Sequence, residues 1–214
     1  MFPGGRVDEA DRNLAKRLEH RCEDEDEAAH RIAAIRETLE ETGLAIGLIG
    51  DLDAGRAAAA RAMLLEEEGL APVLARFGWT VDFAALTPFT RWLPRGMRNE
   101  RIFDARFYLA DLGTGAVEVA VDATENTRLF WTTAKGALEA AKRGEISIIF
   151  PTRRNLERLA ALPSFAAARE QARSLPAYTI SPAIVEGNGS RWLTIPEGLG
   201  YPVTRERLDR AMRG

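Results

Sequence analysis

The residues that decide the fold are Arg36-Glu37-Thr38-Leu39-Glu40-Glu41-Thr42-Gly43-Leu44. They close a segment in which apolar residues recur at the spacing of one helix face, namely Ala28, Ala29, Ile32, Ile35 and Leu39. Gly43 follows as a helix stop signal. The pattern therefore predicts a helix that begins near Ala28 and stops at Gly43.

Three carboxylates share one face of this predicted helix. Glu37, Glu40 and Glu41 fall at positions i, i+3 and i+4, where like charges repel and weaken an isolated helix. A sequence that keeps them together needs a cation, and oxygen ligands suit Mg²⁺ or Mn²⁺ rather than zinc. Arg36 adjoins the cluster and can fix the rotamer of one carboxylate. A solvated acidic face is the alternative, but this string of five fixed positions arises by chance in roughly one such chain in ten thousand.

Composition limits the class of protein. A chain of 214 residues with 46% hydrophobic residues can bury an ordinary core within one domain. The net charge of −3 gives no basic field for nucleic acid, and no apolar run is long enough for a membrane span. A single cysteine, Cys22, fits a reducing compartment. We therefore expect a cytoplasmic protein without nucleic-acid or membrane partners, and a homodimer is compatible with the sequence.

The rest of the chain indicates an α+β fold with a mixed sheet. The charge-dense residues 6–27 suggest a solvated loop with a short helix. Further helices are predicted as two short ones within 54–77 and one each at 135–143, 152–161 and 165–174. Strands are predicted at 44–49, 87–93 and 106–112, and as a hairpin of 178–185 and 191–195 around an Asn-Gly turn.

Arg36 to Leu44 resembles the second half of the Nudix box, whose pattern is Gly-x5-Glu-x7-Arg-Glu-U-x-Glu-Glu-x-Gly-U with U apolar. Phe2-Pro3-Gly4-Gly5 resembles the turn that opens the box. The resemblance implies a Nudix-type α/β/α sandwich with a mixed sheet, spanning residues 1–214 as one domain. It would carry a helical insertion at about 51–80, and C-terminal helices and a hairpin at about 152–214.

The same resemblance assigns roles to residues. Gly5 would be the opening glycine, and Gly4 would offer its carbonyl to the metal. Glu37 and Glu41 would be the main metal ligands, with Glu40 as ligand or base, so that the candidate catalytic residues are Glu40, Glu41 and Arg36.

The sequence departs from the pattern in three places. Seventeen extra residues separate Gly5 from Arg36, Asp11 stands where the pattern has its first Glu, and Thr38 stands where an apolar residue is usual. The insertion leaves the metal face intact, because it precedes the helix in a loop where length is tolerated. The role of Asp11 stays open.

A narrower resemblance concerns the substrate. Four features together resemble the Nudix type 19 branch, the acyl-coenzyme A diphosphatases: the insertion in the box, a helical segment after it, residues 87–94 and residues 101–107. These split coenzyme A into 3′,5′-ADP and a 4′-phosphopantetheine. In that branch a Glu stands six residues before a Trp, which makes Glu125, before Trp131, a candidate metal carboxylate or base. An exposed loop glutamate is the alternative for Glu125.

Arginines supply the candidate substrate-binding residues. Arg153 and Arg154 lie at a predicted helix N-terminus, where the helix dipole disfavours cations and favours an anion such as phosphate. Arg91 is a weaker candidate. The alternative is that one of the helix arginines pairs with Glu157 or is merely solvated.

The sequence thus predicts a metal-dependent hydrolase of a diphosphate bond, with coenzyme A or acyl-coenzyme A as the favoured substrate. The alternatives are another nucleoside diphosphate derivative such as ADP-ribose, a catalytically inactive Nudix-fold binding module, or a helical interaction protein with solvated charged faces. The chain also opens on a turn that would normally follow a strand. We therefore expect that Met1 is a misassigned start and that N-terminal strands are missing; a stop codon directly upstream in frame would contradict this.

Overall fold

The computed structural model describes residues 2–95, 103–112, 130–175, 178–187 and 189–211. They fall into two compact units. The described residues of the first unit lie within Phe2–Leu86 and Ala110–Phe130, and those of the second lie within Thr87–Leu109 and Trp131–Gly214. Within the described ranges, no helix is both long enough and apolar enough to cross a membrane.

The first unit is mainly helical with one small antiparallel sheet. Its elements are α1 (Glu9–Arg17), α2 (Glu25–Thr42), β1 (Leu48–Ile49), α3 (Ala54–Glu66), α4 (Ala71–Phe77), β2 (Thr80–Val81) and a short 3-10 helix at Phe83–Ala85. The two helices predicted within 54–77 are confirmed, and Gly69, in the left-handed region, lies between them. The core of the unit is formed by apolar side chains from α2, α3, α4 and the following loop: Ile32, Ile35, Leu39, Leu64, Val73 and Trp79.

Helix α2 starts three residues earlier than its apolar pattern predicts. Asp24 caps the helix, and its side chain accepts a 2.7 Å hydrogen bond from the backbone N–H of Glu27. The acidic residues before Ala28 form the first turn, where carboxylates stabilise the positive end of the helix dipole. Gly43 ends the helix at a φ of 75°, as the stop signal predicted.

Residues 6–27 form more than a solvated loop with a short helix. Asp8 and Asp11 make a capping box that starts α1. One face of α1 is buried through Asp11, Leu14 and Ala15, and α1 packs against α2. The predicted short helix is confirmed as α1, but it is not solvated on all sides, because Asp11, Leu14 and Ala15 are buried.

The second unit combines two three-stranded sheets with four helices among its described residues. Its elements are β3 (Leu86–Trp92), β4 (Ala105–Ala110), α5 (Ala134–Lys142), α6 (Phe150–Ala160), α7 (Phe165–Ser174), β5 (Thr179–Ile180), β6 (Ala183–Gly187), β7 (Ser190–Thr194), β8 (Arg205–Arg207) and α8 (Leu208–Ala211). One sheet has the order β4-β3-β5, with β3 and β5 parallel. The other is antiparallel with the order β6-β7-β8. The strands rule out the helical interaction protein.

The core of the second unit is built around Trp92. Its ring meets Phe150 and Tyr201 edge-on, at centroid distances of 6.1 and 5.9 Å. Ile180 and Leu193 complete the same cluster. The predicted hairpin is confirmed as β6 and β7, but its first strand begins at Ala183 and not at residue 178. Thr179 and Ile180 form β5, which pairs with β3 in the other sheet. The Asn188 of the predicted turn lies outside the described residues.

Candidate metal centre

Helix α2 carries Arg36 into the interior of the first unit. Ile32, Ile35 and Leu39 are at most 1% exposed, and Arg36 lies on the same side of the helix with 6% exposure. A buried guanidinium is costly unless charged and polar groups surround it. Acidic partners for Arg36 are therefore required close by.

Those partners come from α2 itself and from residues 6–11, which lead into α1 and form its start. The guanidinium donates to both carboxylate oxygens of Asp11, at 3.1 and 3.0 Å. It also contacts Glu40 Oε2 at 2.9 Å and Glu37 Oε1 at 3.0 Å. A further hydrogen bond goes to the backbone carbonyl of Arg6 at 3.0 Å. Arg36 thus fixes two of the three carboxylates predicted on α2, Glu37 and Glu40, and ties α2 to the chain before α1.

Asp11, whose role the sequence did not determine, is a buried partner of Arg36. It is fully buried, and its two-oxygen contact with Arg36 bridges 25 residues. Asp11 follows Gly5 by six residues, which is the spacing of the first Glu in the box pattern. All seventeen extra residues therefore lie between Asp11 and Arg36. Because α1 packs against α2, Asp11 and Arg36 still come into contact despite this insertion. The spacing from Gly5 was the signal that could have identified it.

The opening turn lies against the same carboxylates. The backbone N–H of Gly4 donates to Glu41 Oε2 at 3.3 Å. Gly5 touches the carboxylate of Glu37 so closely that a Cβ at this position would overlap it. The two halves of the box, separated by the insertion in sequence, are therefore adjacent in the structure. Only glycine fits at position 5 without displacing Glu37.

The electrostatics of the centre are dominated by burial and by crowded charges. Burial and the charge of Glu37 raise the pKa of Glu40 to about 7, although Arg36 opposes the shift. For Arg36, burial lowers the pKa, but the hydrogen bonds and charge of Asp11 and the charges of Glu37 and Glu40 raise it above its ordinary value. Arg36 is therefore a permanent cation, while Glu40 titrates near neutrality in the metal-free chain.

Helix α3 adds a contact that was not predicted from the sequence. Arg61 Nε donates to the backbone carbonyl of Glu40 at 2.7 Å. This carbonyl is in the last turn of α2, where backbone acceptors lack helical partners and cations are favoured. Arg61 thereby ties α3 to the end of α2 that carries Glu40 and Glu41.

Comparison with known proteins identifies the fold. No protein-family model and no curated protein matches the sequence. Among solved structures, the chain matches the crystal structure of a NUDIX hydrolase from Alicyclobacillus acidocaldarius, with a TM-score of 0.68 and 28% sequence identity. The match covers 79% of this chain and 79% of that chain. The chain has a Nudix fold. The match supports assignment to the Nudix superfamily and confirms the predicted α+β fold class, and the narrower type 19 branch stays a prediction.

The oxygen donors of the Nudix box fit a hard divalent cation. Glu37, Glu40 and Glu41 are half-buried on one helix, and the backbone of Gly4 lies beside Glu41. In the part of the chain that the structure describes, these three carboxylates do not bring three oxygens within 4.8 Å of one another. One ion bound by all three would therefore need them to turn about their side-chain bonds, which glutamate permits between staggered rotamers. The donor set suits Mg²⁺ or Mn²⁺ by its chemistry.

Binding of Mn²⁺ at this centre should depend on pH through Glu40. The pKa of Glu40 is 4.5 in a free side chain and about 7 in the folded metal-free chain. Between these values the fold holds an extra proton, so its stability without metal falls as the pH rises. A bound cation must displace that proton. The affinity for Mn²⁺ should therefore rise up to about tenfold per pH unit below 7 and level off above it.

Calorimetry between pH 5.5 and 8, in buffers of different ionisation enthalpy, measures this directly. About one proton should be released per Mn²⁺ at the acidic end and close to none at pH 8. The Glu40→Gln variant should bind more weakly but with a flat pH profile. A wild-type affinity that does not change with pH would contradict the role of Glu40.

The predicted substrate arginines lie in the second unit, and two of them are already paired. Arg91 makes a two-oxygen contact with Asp104 at 2.8 and 2.6 Å. Arg154 is 2% exposed and contacts Glu157 at 3.0 Å and Glu206 at 3.1 Å. For Arg154, the contact with Glu157 confirms the alternative to phosphate binding, namely that an arginine of this helix pairs with Glu157.

The remaining predicted site residues differ in what the structure says of them. Arg153 is half-buried in the first turn of α6, and its role in substrate binding stays a prediction. Direct contact between phosphate and Arg154 would require its carboxylate pairs to break. Glu125, the candidate metal carboxylate or base, lies outside the described residues.

Proposed function

We propose that the chain is a metal-dependent hydrolase of a diphosphate bond, with coenzyme A or an acyl-coenzyme A as substrate. The observation that carries this proposal is the buried Arg36, which holds Glu37 and Glu40 beside the Gly4-Gly5 turn within a Nudix fold. The solved structure of similar fold bears the name of a NUDIX hydrolase. The same fold, with carboxylates in the box positions, supports the same class of reaction here.

The residues of the proposed site have different roles in metal binding and positioning. Glu37, Glu40 and Glu41, together with the carbonyl of Gly4, would hold Mg²⁺ or Mn²⁺. When bound, such an ion grips the oxygens of the diphosphate and lowers the pKa of an attacking water. Arg36 keeps Glu37 and Glu40 in place, which limits the freedom that a substrate would otherwise have to restrain. Glu40, with a pKa of about 7 before metal binds, suits either a ligand or a proton acceptor near neutral pH.

The choice of coenzyme A rests on the resemblance to the type 19 branch. Residues 87–94 of that resemblance lie largely in β3, and the helical segment after the box is formed by α3 and α4. Both features support the proposal. The matched region at 101–107 is described only from Phe103 onward.

A competition between two substrates tests the choice. The full chain should hydrolyse coenzyme A to 3′,5′-ADP and 4′-phosphopantetheine with a higher kcat/KM than it shows for ADP-ribose, with Mg²⁺ or Mn²⁺ present. Product analysis by chromatography and ³¹P NMR identifies which bond is cut. A preference for ADP-ribose would contradict the choice of coenzyme A but would still agree with metal-dependent hydrolysis of a diphosphate.

An inactive binding module is the second candidate, and the substitution of Asp11 for the first Glu of the box favours it. Calorimetry with Mg²⁺ and a non-hydrolysable diphosphate, run beside a turnover assay, separates the two. Binding of the analogue without turnover of any diphosphate would support the module.

A further inference from the structure

The backbone carbonyl of Glu40 accepts no hydrogen bond from α2 itself, all of whose residues the structure describes. In a continuing helix it would accept the backbone N–H of Leu44, four residues later. The helix ends at Thr42, and the N–H of Leu44 instead donates to Thr42 Oγ1 at 3.2 Å. The preceding carbonyl, that of Leu39, accepts the N–H of Gly43 at 2.9 Å. The carbonyl of Glu40 therefore needs a donor from outside α2.

Arg61 of α3 supplies this donor. Its Nε donates to the carbonyl of Glu40 at 2.7 Å. The side chain also lies beside Gly43, since a Cβ at that position would come within 3.8 Å of Arg61 Cδ. A cation is favourable here, because the C-terminal end of a helix carries a partial negative charge. Arg61 therefore closes the last turn of α2 with both a hydrogen bond and a charge.

The last turn of α2 carries two of the three carboxylates proposed as metal ligands. Glu40 and Glu41 belong to it, whereas Glu37 lies one turn earlier. Helix ends fray where their free backbone groups lack partners. Fraying would displace two of the ligands, and metal ligands must be held within about 0.5 Å of their productive positions. Arg36 holds the side chains of Glu37 and Glu40, and Arg61 holds the backbone of the last turn.

We propose that Arg61 is a positioning residue of the metal centre, and that its hydrogen bond to the carbonyl of Glu40 keeps the carboxylates of α2 in the arrangement that binds a divalent ion. The inference rests on the proposed function in one respect, namely that these carboxylates are the metal ligands. Arg61 acts through the backbone of α2 and not on the ion itself. Because α3 belongs to the helical segment after the box, that segment has a role in metal binding.

The affinity of the full chain for Mn²⁺ tests the proposal, measured by calorimetry at pH 8 and checked by electron paramagnetic resonance of the free ion. Arg61→Met matches the stem of the arginine in length but removes the donor. It should bind Mn²⁺ about tenfold more weakly, as when a partner that orients a metal ligand is lost. The sign of the change is decisive, because removal of a nearby cation would by charge alone strengthen the binding of Mn²⁺.

Two further variants separate the hydrogen bond from charge and from stability. In Arg61→Gln the amide nitrogen stands at the same place along the side chain as Nε of arginine, so the donor is kept and the charge is lost. Arg61→Gln should bind Mn²⁺ within about threefold of the wild type, because a neutral donor forms a somewhat weaker bond. Arg56 is the matched control, since it also lies on α3 and donates to a backbone carbonyl, that of Phe77, at 2.9 Å. Arg56→Met should leave the affinity for Mn²⁺ unchanged, even where it lowers the melting temperature.

Three results would overturn the role of Arg61: binding by folded Arg61→Met as tight as that of the wild type, an equal loss in Arg61→Gln, or an equal loss in Arg56→Met. Should Arg61→Met not fold, Arg61→Gln decides alone, and a loss of about tenfold or more in that variant would refute the role. A wild type that binds no Mn²⁺ would refute both this role and the proposed function. A wild type that binds Mn²⁺ but cleaves no diphosphate would contradict the proposed function alone.

Discussion

Replacing Arg36 with methionine should lower the free energy of unfolding by about 3–5 kcal/mol. The side chain of Arg36 is 8% exposed, and Asp11, which it contacts through both oxygens, is 0% exposed. Methionine fills a similar volume but leaves the charge of Asp11 buried without a counter-charge. It also removes the cation that separates Glu37 from Glu40. Urea denaturation of the metal-free proteins, monitored by circular dichroism, measures the loss.

An exposed ion pair between the same two helices provides the control. Arg12 of α1 contacts Asp26 of α2 at 2.8 Å, with side chains 48% and 44% exposed. Arg12→Met should cost at most about 1 kcal/mol, because exposed pairs contribute little. Asp11→Asn combined with Arg36→Met should cost less than the sum of the two single changes, since neither buried charge then stands alone. A loss from Arg36→Met no larger than that from Arg12→Met would contradict the central position of Arg36.

Replacing Glu41 with glutamine should reduce metal-dependent hydrolysis by roughly a hundredfold or more. A catalytic ion contributes several kcal/mol to the barrier, and each 1.36 kcal/mol is tenfold in rate. Glutamine keeps the shape of the side chain and can still accept the hydrogen bond from the Gly4 N–H. The change therefore removes the charge at the predicted metal face with little effect on packing. Steady-state kinetics with Mg²⁺ and Mn²⁺ measure the effect.

The melting temperature of Glu41→Gln shows whether its activity falls because a metal ligand is removed or because the protein no longer folds. Removing one of two like charges at i and i+4 relieves repulsion, so metal-free Glu41→Gln should melt at the same temperature as the wild type or slightly higher. It should also lose the stabilisation that Mn²⁺ gives the wild type. Glu66→Gln, at the exposed end of α3, is the matched control and should keep full activity. Unchanged hydrolysis by Glu41→Gln would remove the proposed mechanism.

Local signals in the sequence predicted the elements that position the centre. The apolar spacing in α2 and the stop at Gly43 were sufficient for that helix, because both act within a few residues. The helix at Phe165–Ser174 was predicted with its observed bounds for the same reason. The Asn-Gly signal predicted the hairpin of β6 and β7, since a tight turn sets the pairing of the strands that flank it.

Contacts between distant segments could not be predicted in the same way. The parallel pairing of β3 with β5 joins residues such as Trp92 and Ile180, and no local signal specifies it. The contact of Arg154 with Glu206 spans 52 residues, and no signal near Arg154 in the sequence indicates this partner. Asp11 and Arg36 meet because α1 folds back onto α2, which a charge-dense sequence gave no reason to expect.

The central claim is that the box carboxylates support hydrolysis of a diphosphate with divalent metal. The most direct test is ³¹P NMR of the full chain incubated with a panel of diphosphates that includes coenzyme A and ADP-ribose. Each reaction is run with Mg²⁺, with Mn²⁺ and with a chelator. At least one diphosphate should be converted to monophosphate products with metal and remain intact with the chelator. Diphosphates that all stay intact with either metal, in a folded protein that binds Mn²⁺, would contradict the claim.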